Sequence, residues 1–411
     1  MQLAILKSKN FRPLLLARMS IMIALQAQAV IVGWQIYSLT GDVFLLGLAG
    51  LVEAVPAIFC ALFAGHFVDR GHPRTIFILC LMALLTNAAA LLVFAGGLVL
   101  VENTLLVPLI FGGLFISGLA RGFVSPCAFT LLYLIIPRTN MPAATAWMSS
   151  ALQTGAVIGP AAAGLTYGGY GVTVAWCMPV MLLAIALMMV VALKPPTRLP
   201  RDAAEKETAW QSIKAGWLYM WRNQVLLSMM AIDMFAVLFG GAVAMLPAFA
   251  DEVLHVGPQG LGLLRAAPAI GAIIMGLYLA THPMKTISAK RLIYAVTGFG
   301  FCMIGFGLSN IFWLSLFFLF LSGVFDSVSV VIRHTLMQLL TPDDMKGRLS
   351  SINSMFIISS NEIGAFESGT AARLMGLVPS VVFGGVCTLI VAGITAMVAP
   401  KFRRTVVNTQ E

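Results

Sequence analysis

Long apolar runs, separated by short polar turns, make up most of this chain. A run of about 20 apolar residues has the length at which a helix crosses the hydrocarbon core of a bilayer. Such runs therefore predict helices that span a membrane. The sequence predicts twelve of them, at roughly residues 14–38, 45–68, 75–97, 105–136, 144–166, 172–194, 224–249, 258–281, 290–308, 311–338, 350–374 and 378–399.

The composition agrees with lipid as the solvent of this chain. Of its 411 residues, 60% are hydrophobic and only 10% are charged, whereas a soluble domain has about 25% charged residues. This balance excludes a soluble globular protein. All six cysteines lie within apolar runs, without the spacing of metal ligands or of a disulfide framework. The sequence thus predicts an all-α membrane protein without a metal or another cofactor.

One stretch of the chain is repeated. The segment from Phe115 to Gly164 recurs 205 residues later, without a gap, as Phe320 to Gly369. A constant offset of half the chain length indicates two structural repeats. At one equivalent position the first repeat has Arg121 and the second has Asp326. Identical residues at this offset include Ser117 and Ser322, Pro137 and Pro342, and Gly159 and Gly364.

A single long polar connection, residues 195–223, interrupts the apolar runs. It predicts an N-terminal bundle of six helices at 1–194 and a C-terminal bundle of six at 224–411. The later part of the connection, Glu205–Trp221, has the pattern of an amphipathic helix that lies on a membrane surface.

Basic residues indicate the orientation of the helices in the membrane. With twelve spans, the lysines and arginines of the loops all fall on one side, as at Arg70, Lys206 and Lys290. The positive-inside rule then places both termini on the cytoplasmic side of the membrane. We expect that membrane to be a bacterial inner membrane. The net charge of +9 is explained by this topology, so nucleic acid is not an expected partner. The opposite loops contain Asp42, Glu102, Asp251 and Glu252, and no lysine or arginine.

The loop between the second and third predicted helices carries a recognisable motif. Gly65, Asp69, Arg70 and Arg74 match the pattern G-x-x-x-D-R-x-G-R-[RK]. Twelve spans in two repeats, with this loop between the second and third, resemble the major facilitator superfamily. The resemblance implies the major facilitator fold, in which two halves rock about a central site, and a latch formed by these four residues in the outward-facing state. The alternative is a solvated loop that only sets the topology.

The fifth predicted helix carries a second motif, formed by Gly155, Gly159, Pro160 and Gly164. Glycines at this spacing let another helix approach closely, and a proline frees a backbone carbonyl and can bend the helix. The pattern resembles the antiporter motif of the superfamily, G-x-x-x-G-P-x-x-G-G, which implies export. Ordinary helix packing is the alternative. The turn Thr341–Arg348 resembles that of the exporter branch that includes the enterobactin exporter and macrolide efflux proteins.

Several charged residues lie inside the predicted helices, where each costs about 2.5–3.5 kcal/mol unless it is paired or hydrated. The superfamily resemblance implies that helices 1, 4, 7 and 10 line the central cavity. We therefore expect Arg121 to pair with an acid in one state and to release that acid in another, so that the acid takes up a proton. Asp326 is the first candidate for this proton carrier and Asp233 is the second. The alternative is a static ion pair. The expected pathway residues are Glu53, Arg121, Asp233, Asp326 and Glu362, with Gln28 and Gln35.

Two further features leave alternatives open. Gln28 and Gln35 lie seven residues apart and so share one face of the first helix, near Trp34. Their amides either contact a substrate with polar and ring parts or bridge neighbouring helices. Arg333 and His334 lie near the cytoplasmic end of the tenth helix, where the sequence favours a gate or a snorkelling role over binding.

These observations predict a transporter and not an enzyme, because the chain has no phosphate-binding loop, no G-x-S-x-G nucleophile motif and no paired metal ligands. Without a nucleotide site, the energy must come from an ion gradient. We expect a monomeric secondary transporter, in contact with lipid, that exports a siderophore or an amphipathic drug by proton antiport. The alternatives are an importer or uniporter on the same fold, and a non-transporting membrane protein such as a lipid scramblase or receptor.

Overall fold

The computed structural model describes residues 8–99, 101–194, 217–282, 284, 286–342, 345–404 and 406–408. Almost all of this part is helical. In the first half the helices are α1 Phe11–Thr40, α2 Val43–Arg70, α3 Pro73–Phe94, α4 Asn103–Ile135, α5 Met141–Tyr170 and α6 Val172–Ala192. A 3-10 turn, Arg138–Asn140, connects α4 to α5.

The second half repeats this arrangement. Residues 217–222 are helical and lead into α7. The helices that follow are α7 Gln224–Gly240, α8 Gly257–Thr281, α9 Ala289–Leu308, α10 Phe312–Leu340, α11 Lys346–Met375, α12 Leu377–Val398 and the short α13 Pro400–Arg404. Between α7 and α8 the chain continues through a 3-10 turn Ala242–Met245, a helical turn Leu246–Ala248 and a π-helical turn Phe249–Val253. Two short strands, β1 Thr286–Ser288 and β2 Val406–Asn408, pair antiparallel, with Ile287 opposite Val407.

Local chemistry explains where several helices begin and end. The Asp42 carboxylate accepts a hydrogen bond from the Phe44 backbone N–H and so caps the start of α2. Asn223 caps α7 in the same way, by accepting from Val225 and Leu226. Gly41 ends α1 in the left-handed conformation, with φ of 62°, which a residue with a Cβ adopts at a cost. Pro73 begins α3, where its missing N–H is not needed.

The helix bounds reproduce the repeat that the sequence predicts. Helices α5 and α11 both begin and end 205 residues apart, and so do the last residues of α4 and α10. Twelve helices of 17 to 33 residues precede α13 in the described part of the chain. Ten spans are long and apolar enough to cross a membrane by length and composition alone. The other two are α5, which is rich in small and hydroxyl residues, and α11, which also contains charged residues; each still has 30 residues.

The described residues form two compact units, one of 1–200 with 247–266 and the other of 201–246 with 267–411. In the first, α1 packs against α5 and α6, and α4 against α2 and α3. In the second, α7 packs against α11 and α12, and α9 against α10 and α12, as the repeat requires. Each unit has its own apolar core. The predicted bundle boundaries stay a prediction, and most of the connection at 195–223 lies outside the described residues.

Candidate transport site

The first unit contains an ion pair between α2 and α4. Arg121 Nη1 lies 2.6 Å from Glu53 Oε1, and the Ser117 hydroxyl donates a hydrogen bond of 2.8 Å to the same oxygen. Close packing of the two helices makes this geometry feasible, because a Cβ built on Gly122 would lie 2.7 Å from the Ala57 carbonyl oxygen. The Arg121 side chain remains 38% exposed, compared with 18% for Glu53. The structure thus brings together two of the expected pathway residues.

A second arginine lies on the same side of α4. Arg18 Nη2 of α1 donates a hydrogen bond of 3.2 Å to Ser125 Oγ, one helical turn beyond Arg121. Arg18 is not among the pathway residues that the sequence predicts. Its position could have identified it as a candidate, since it lies four residues inside the first predicted span and is a charge among apolar residues.

The second unit contains a charged cluster built by α7 and α10. Arg333 Nη1 forms an ion pair with Asp233 Oδ2, and both side chains are less than one tenth exposed. Asp326 lies two turns before Arg333 on the same face of α10, and it interacts electrostatically with both Arg333 and Asp233. One guanidinium therefore pairs with one carboxylate and lies within electrostatic range of a second. We call Asp233, Asp326 and Arg333 the α7–α10 cluster.

Two polar atoms next to this cluster have no hydrogen-bond partner among the described residues. They are Arg333 Nε and the hydroxyl oxygen of Ser329, which lies between Asp326 and Arg333 on α10. Buried polar groups are normally hydrogen-bonded, so these two atoms leave capacity in the cluster for a water molecule or another acceptor. The sequence favours a gate or snorkelling role for Arg333, whereas in the structure its side chain is buried against Asp233.

The two glutamines of α1 differ in their surroundings. The Gln35 amide donates a hydrogen bond of 2.6 Å to the Ala95 carbonyl and accepts one of 2.8 Å from Trp176 Nε1. Of the two alternatives for this residue, the structure shows the bridge between helices. Gln28 is buried, with no hydrogen bond to the described residues. Glu362 is half-buried in α11.

The loop motif between α2 and α3 is described in part. Arg74 donates hydrogen bonds to the carbonyls of Val190 and Val191, at 3.4 and 2.5 Å, and so binds the last turn of α6. Guanidinium groups are favourable partners for the carbonyls at a helix C-terminus. The structure does not describe the side chains of Asp69 and Arg70 or the surroundings of residue 65, so the latch stays a prediction.

The motif of α5 lies at two close helix contacts in the first unit. A Cβ built on Gly155 would lie 2.5 Å from Met22 Cβ, and one on Gly159 would lie 2.7 Å from Gln26 Cβ, both in α1. One built on Gly164 would lie 2.5 Å from the Pro258 carbonyl oxygen, in the first turn of α8. The small residues of α5 therefore allow close packing on α1 in the middle of the helix and on α8 nearer its end.

In the part of the chain that the structure describes, no three His, Cys, Asp or Glu side chains come together as metal ligands would. Each unit contains an ion pair inside its helices, Arg121 with Glu53 in the first and Arg333 with Asp233 in the second.

The helices, their repeat and the buried charges define a multi-pass membrane transporter. The family model of the Major Facilitator Superfamily matches residues 14–365, and the chain belongs to this family. Two relatives are named Enterobactin exporter EntS, one from Shigella boydii serotype 4 (strain Sb227) and one from Escherichia coli O81 (strain ED1a). Each is 26% identical over 410 residues, which is 98% of this chain and 95% of the relative.

Solved structures agree on the fold. A bacterial homolog of the human lysosomal transporter Spinster, inward-facing and unoccupied, superposes with a TM-score of 0.75 at 14% identity. The alignment covers 96% of this chain and 98% of that one. A D-xylose-proton symporter superposes with a TM-score of 0.71 at 15% identity, covering 93% and 96% of the two chains.

Proposed function

We propose that this protein is a secondary transporter of the bacterial inner membrane that exports a small organic molecule, a siderophore or an amphipathic drug, in exchange for protons. It acts as a monomer without a cofactor, with both termini in the cytoplasm. The observation that carries the proposal is the α7–α10 cluster, in which a buried guanidinium pairs with Asp233 and has a second carboxylate, Asp326, within electrostatic range. The Arg121–Glu53 pair supplies a second charged group in the other unit.

The charge of the α7–α10 cluster suits a proton site. With both carboxylates ionised, Asp233, Asp326 and Arg333 together have one uncompensated negative charge. An unpaired charge is costly in a buried membrane helix, and binding one proton removes it. A movement of α7 relative to α10 that changes the distances to Arg333 would therefore load or release a proton.

Asp326 is the better candidate for the proton carrier. Asp233 is held directly by Arg333, whereas Asp326 forms no ion pair with any of the described residues, that is, no nitrogen–oxygen distance of 4.0 Å or less. A carboxylate without a direct cationic partner takes up a proton more readily in a buried site. Asp233 is the second candidate, and Arg333 positions both carboxylates.

Support for export comes from two sources. The curated relatives that match 98% of this chain are named as exporters, and the α5 motif resembles the antiporter motif. An importer or uniporter on the same fold is the alternative, and the direction of counterflow in proteoliposomes distinguishes the two.

The test is proton movement in inside-out membrane vesicles, followed with a pH-sensitive dye while a panel of siderophores and amphipathic drugs is added. The wild-type protein should release vesicle protons with at least one compound. Asp326→Asn should abolish this release and leave substrate exchange without a gradient measurable. Glu102→Gln, at an exposed acid before α4, is the matched control and should behave as wild type.

Two outcomes would contradict the proposal. If Asp326→Asn and Asp233→Asn both still export against a gradient with a normal pH dependence, the proton-carrier assignment is wrong. If the charge swap Asp233→Arg with Arg333→Asp restores full export, the pair is a static structural contact.

A further inference from the structure

Arg18 is a charged side chain that the proton site does not use. It is the eighth residue of α1, which is long and apolar enough to span a membrane. Its guanidinium donates to a neutral hydroxyl, that of Ser125, and it has no carboxylate partner among the described residues. A guanidinium inside a membrane helix is stable only where it meets an anion or water. Arg18 therefore has capacity for an acidic partner.

The direction of the Arg18 side chain argues against snorkelling. In a twelve-helix bundle the start of α1 and the end of α4 lie at the same membrane face. Arg18 is about 10 Å from the start of α1, while Ser125 is about 15 Å from the end of α4, at 1.5 Å per residue. A snorkelling arginine extends toward the nearer interface. Arg18 instead reaches the Ser125 hydroxyl, which lies farther from the end of α4 than Arg18 lies from the start of α1.

A second guanidinium lies close to this position. Arg121 and Ser125 are one turn apart on the same face of α4, so the contacts of Arg18 and Arg121 lie on adjacent turns. Arg121 forms an ion pair with Glu53 and is still 38% exposed. Two guanidinium groups whose contacts lie on adjacent turns can together bind an acidic group with several oxygen acceptors.

We propose that Arg18 and Arg121 form a subsite between α1 and α4 for an acidic group of the cargo, which makes the exported molecule an organic anion. This inference rests on the proposed function, because that function makes the bound anion a transported molecule. Binding at the subsite itself does not depend on the direction of transport. Arg18 is the primary contact, because its described partner is a neutral hydroxyl. Ser125 holds its guanidinium in place.

Carboxyfluorescein, an organic anion at neutral pH, is the probe for this subsite. Its fluorescence anisotropy is measured with the purified full chain in nanodiscs of phosphatidylcholine, with ethidium as the cationic comparison. Arg18→Gln should weaken carboxyfluorescein binding roughly tenfold or more, the loss of one charge-assisted hydrogen bond. Arg18→Lys should recover part of the affinity. The double variant Arg121→Gln with Glu53→Gln, which leaves no unpaired carboxylate, should weaken binding as well.

The controls separate binding from folding and from proton coupling. Arg222→Gln removes an exposed arginine distant in sequence and should bind carboxyfluorescein as wild type does. Asp326→Asn should lose proton movement and keep carboxyfluorescein affinity, so that failure of the proton-antiport proposal does not affect this test. Arg18→Glu should prefer ethidium.

Three results would overturn the inference. The first is no saturable carboxyfluorescein binding by the wild-type protein, and the second is equal binding by the wild type and Arg18→Gln. The third is loss of binding when phosphatidylglycerol replaces phosphatidylcholine in the nanodiscs. That loss would show that the acidic partner of Arg18 is a lipid headgroup and not a transported molecule.

Discussion

At the scale of single residues, two arginines inside the helices form ion pairs within their own unit. Arg121 meets Glu53 across α2 and α4, and Arg333 meets Asp233 across α7 and α10. Arg121 and Asp326 occupy equivalent positions in the two repeats and yet have different partners. The repeat therefore conserves the depth of a charge along its helix, while the neighbouring helices decide what that charge binds.

The Arg333–Asp233 pair predicts a specific pattern of stability. Arg333→Gln should lower the free energy of unfolding by about 3–5 kcal/mol, because it leaves Asp233 as a buried charge without its cation. The double variant Arg333→Gln with Asp233→Asn should be closer to wild type, since the cluster then keeps the single uncompensated negative charge that it has in the wild type. Thermal unfolding of the purified protein in detergent measures both, with Arg403→Gln at an exposed arginine as the control. Equal unfolding temperatures for the single and the double variant would contradict this explanation.

The glutamines of α1 provide a second prediction. Gln35→Leu leaves the Ala95 carbonyl and Trp176 Nε1 without partners, at about 1–3 kcal/mol for each buried group. Its unfolding temperature should fall clearly below that of the wild type. Gln28→Leu, on the same helix and equally buried, removes no hydrogen bond to the described residues and should change the unfolding temperature little. A larger loss for Gln28→Leu than for Gln35→Leu would refute the assignment of Gln35 as an interhelical bridge.

At the scale of helices, α5 shows how small residues set distances between backbones. Gly155 and Gly159 face α1, and Gly164 faces the start of α8, all at distances that leave no room for a side chain. Without a hydrophobic force between helices in lipid, close van der Waals contact of this kind is a main source of helix association. The motif thus has a direct packing role, whatever it contributes to the direction of transport.

The close contacts of α5 predict the effect of larger residues. Gly159→Leu should abolish transport while the protein still inserts in the membrane, because its Cβ would lie 2.7 Å from Gln26 Cβ and 2.8 Å from the Ile23 carbonyl oxygen. Gly169→Ala is the matched control on the same helix, since nothing lies within 4 Å of a Cβ at that position. Transport and the amount of protein in the membrane are measured together. Normal transport with leucine at both Gly155 and Gly159 would remove the functional interpretation of the motif.

At the scale of the whole molecule, topology and hydropathy agree. In the part of the chain that the structure describes, ten helices are apolar enough to span a membrane by composition, and α5 and α11 have the length to do so. The two less apolar helices are equivalent in the repeat, which explains why both fall below the hydropathy of the others. A helix packed among other helices can include small and polar residues that lipid alone would disfavour.

The orientation of the molecule is open to a labelling test. In a cysteine-free variant, a cysteine at Glu102 or Glu252 should react with a membrane-impermeant maleimide added to intact cells. A cysteine at Arg70 or Lys206 should react only after the membrane is permeabilised, because basic loops remain in the cytoplasm. Labelling of the second pair in intact cells would reverse the predicted orientation.

The sequence alone determined the class of the molecule, the number of its long helices and its repeat. Apolar length and a constant offset of 205 residues are local or periodic properties, so they survive without knowledge of the fold. The structure confirms the offset in the bounds of α5 and α11. The sequence also showed that Arg121 and Asp233 need partners, because the cost of a charge in lipid depends on the residue and its depth.

Only the tertiary structure decided which partners these residues have. Glu53 and Arg121 are far apart in the chain, as are Asp233 and Arg333, and Gln35 meets Trp176 across 141 residues. The role of Arg18 also depends on the side chain that faces it on α4. Hydropathy identifies a helix that spans the membrane, but it does not determine the rotation of that helix about its own axis or which helices lie beside it. Those are set by the packing of helix faces, which determines where each charge finds its hydrogen bonds.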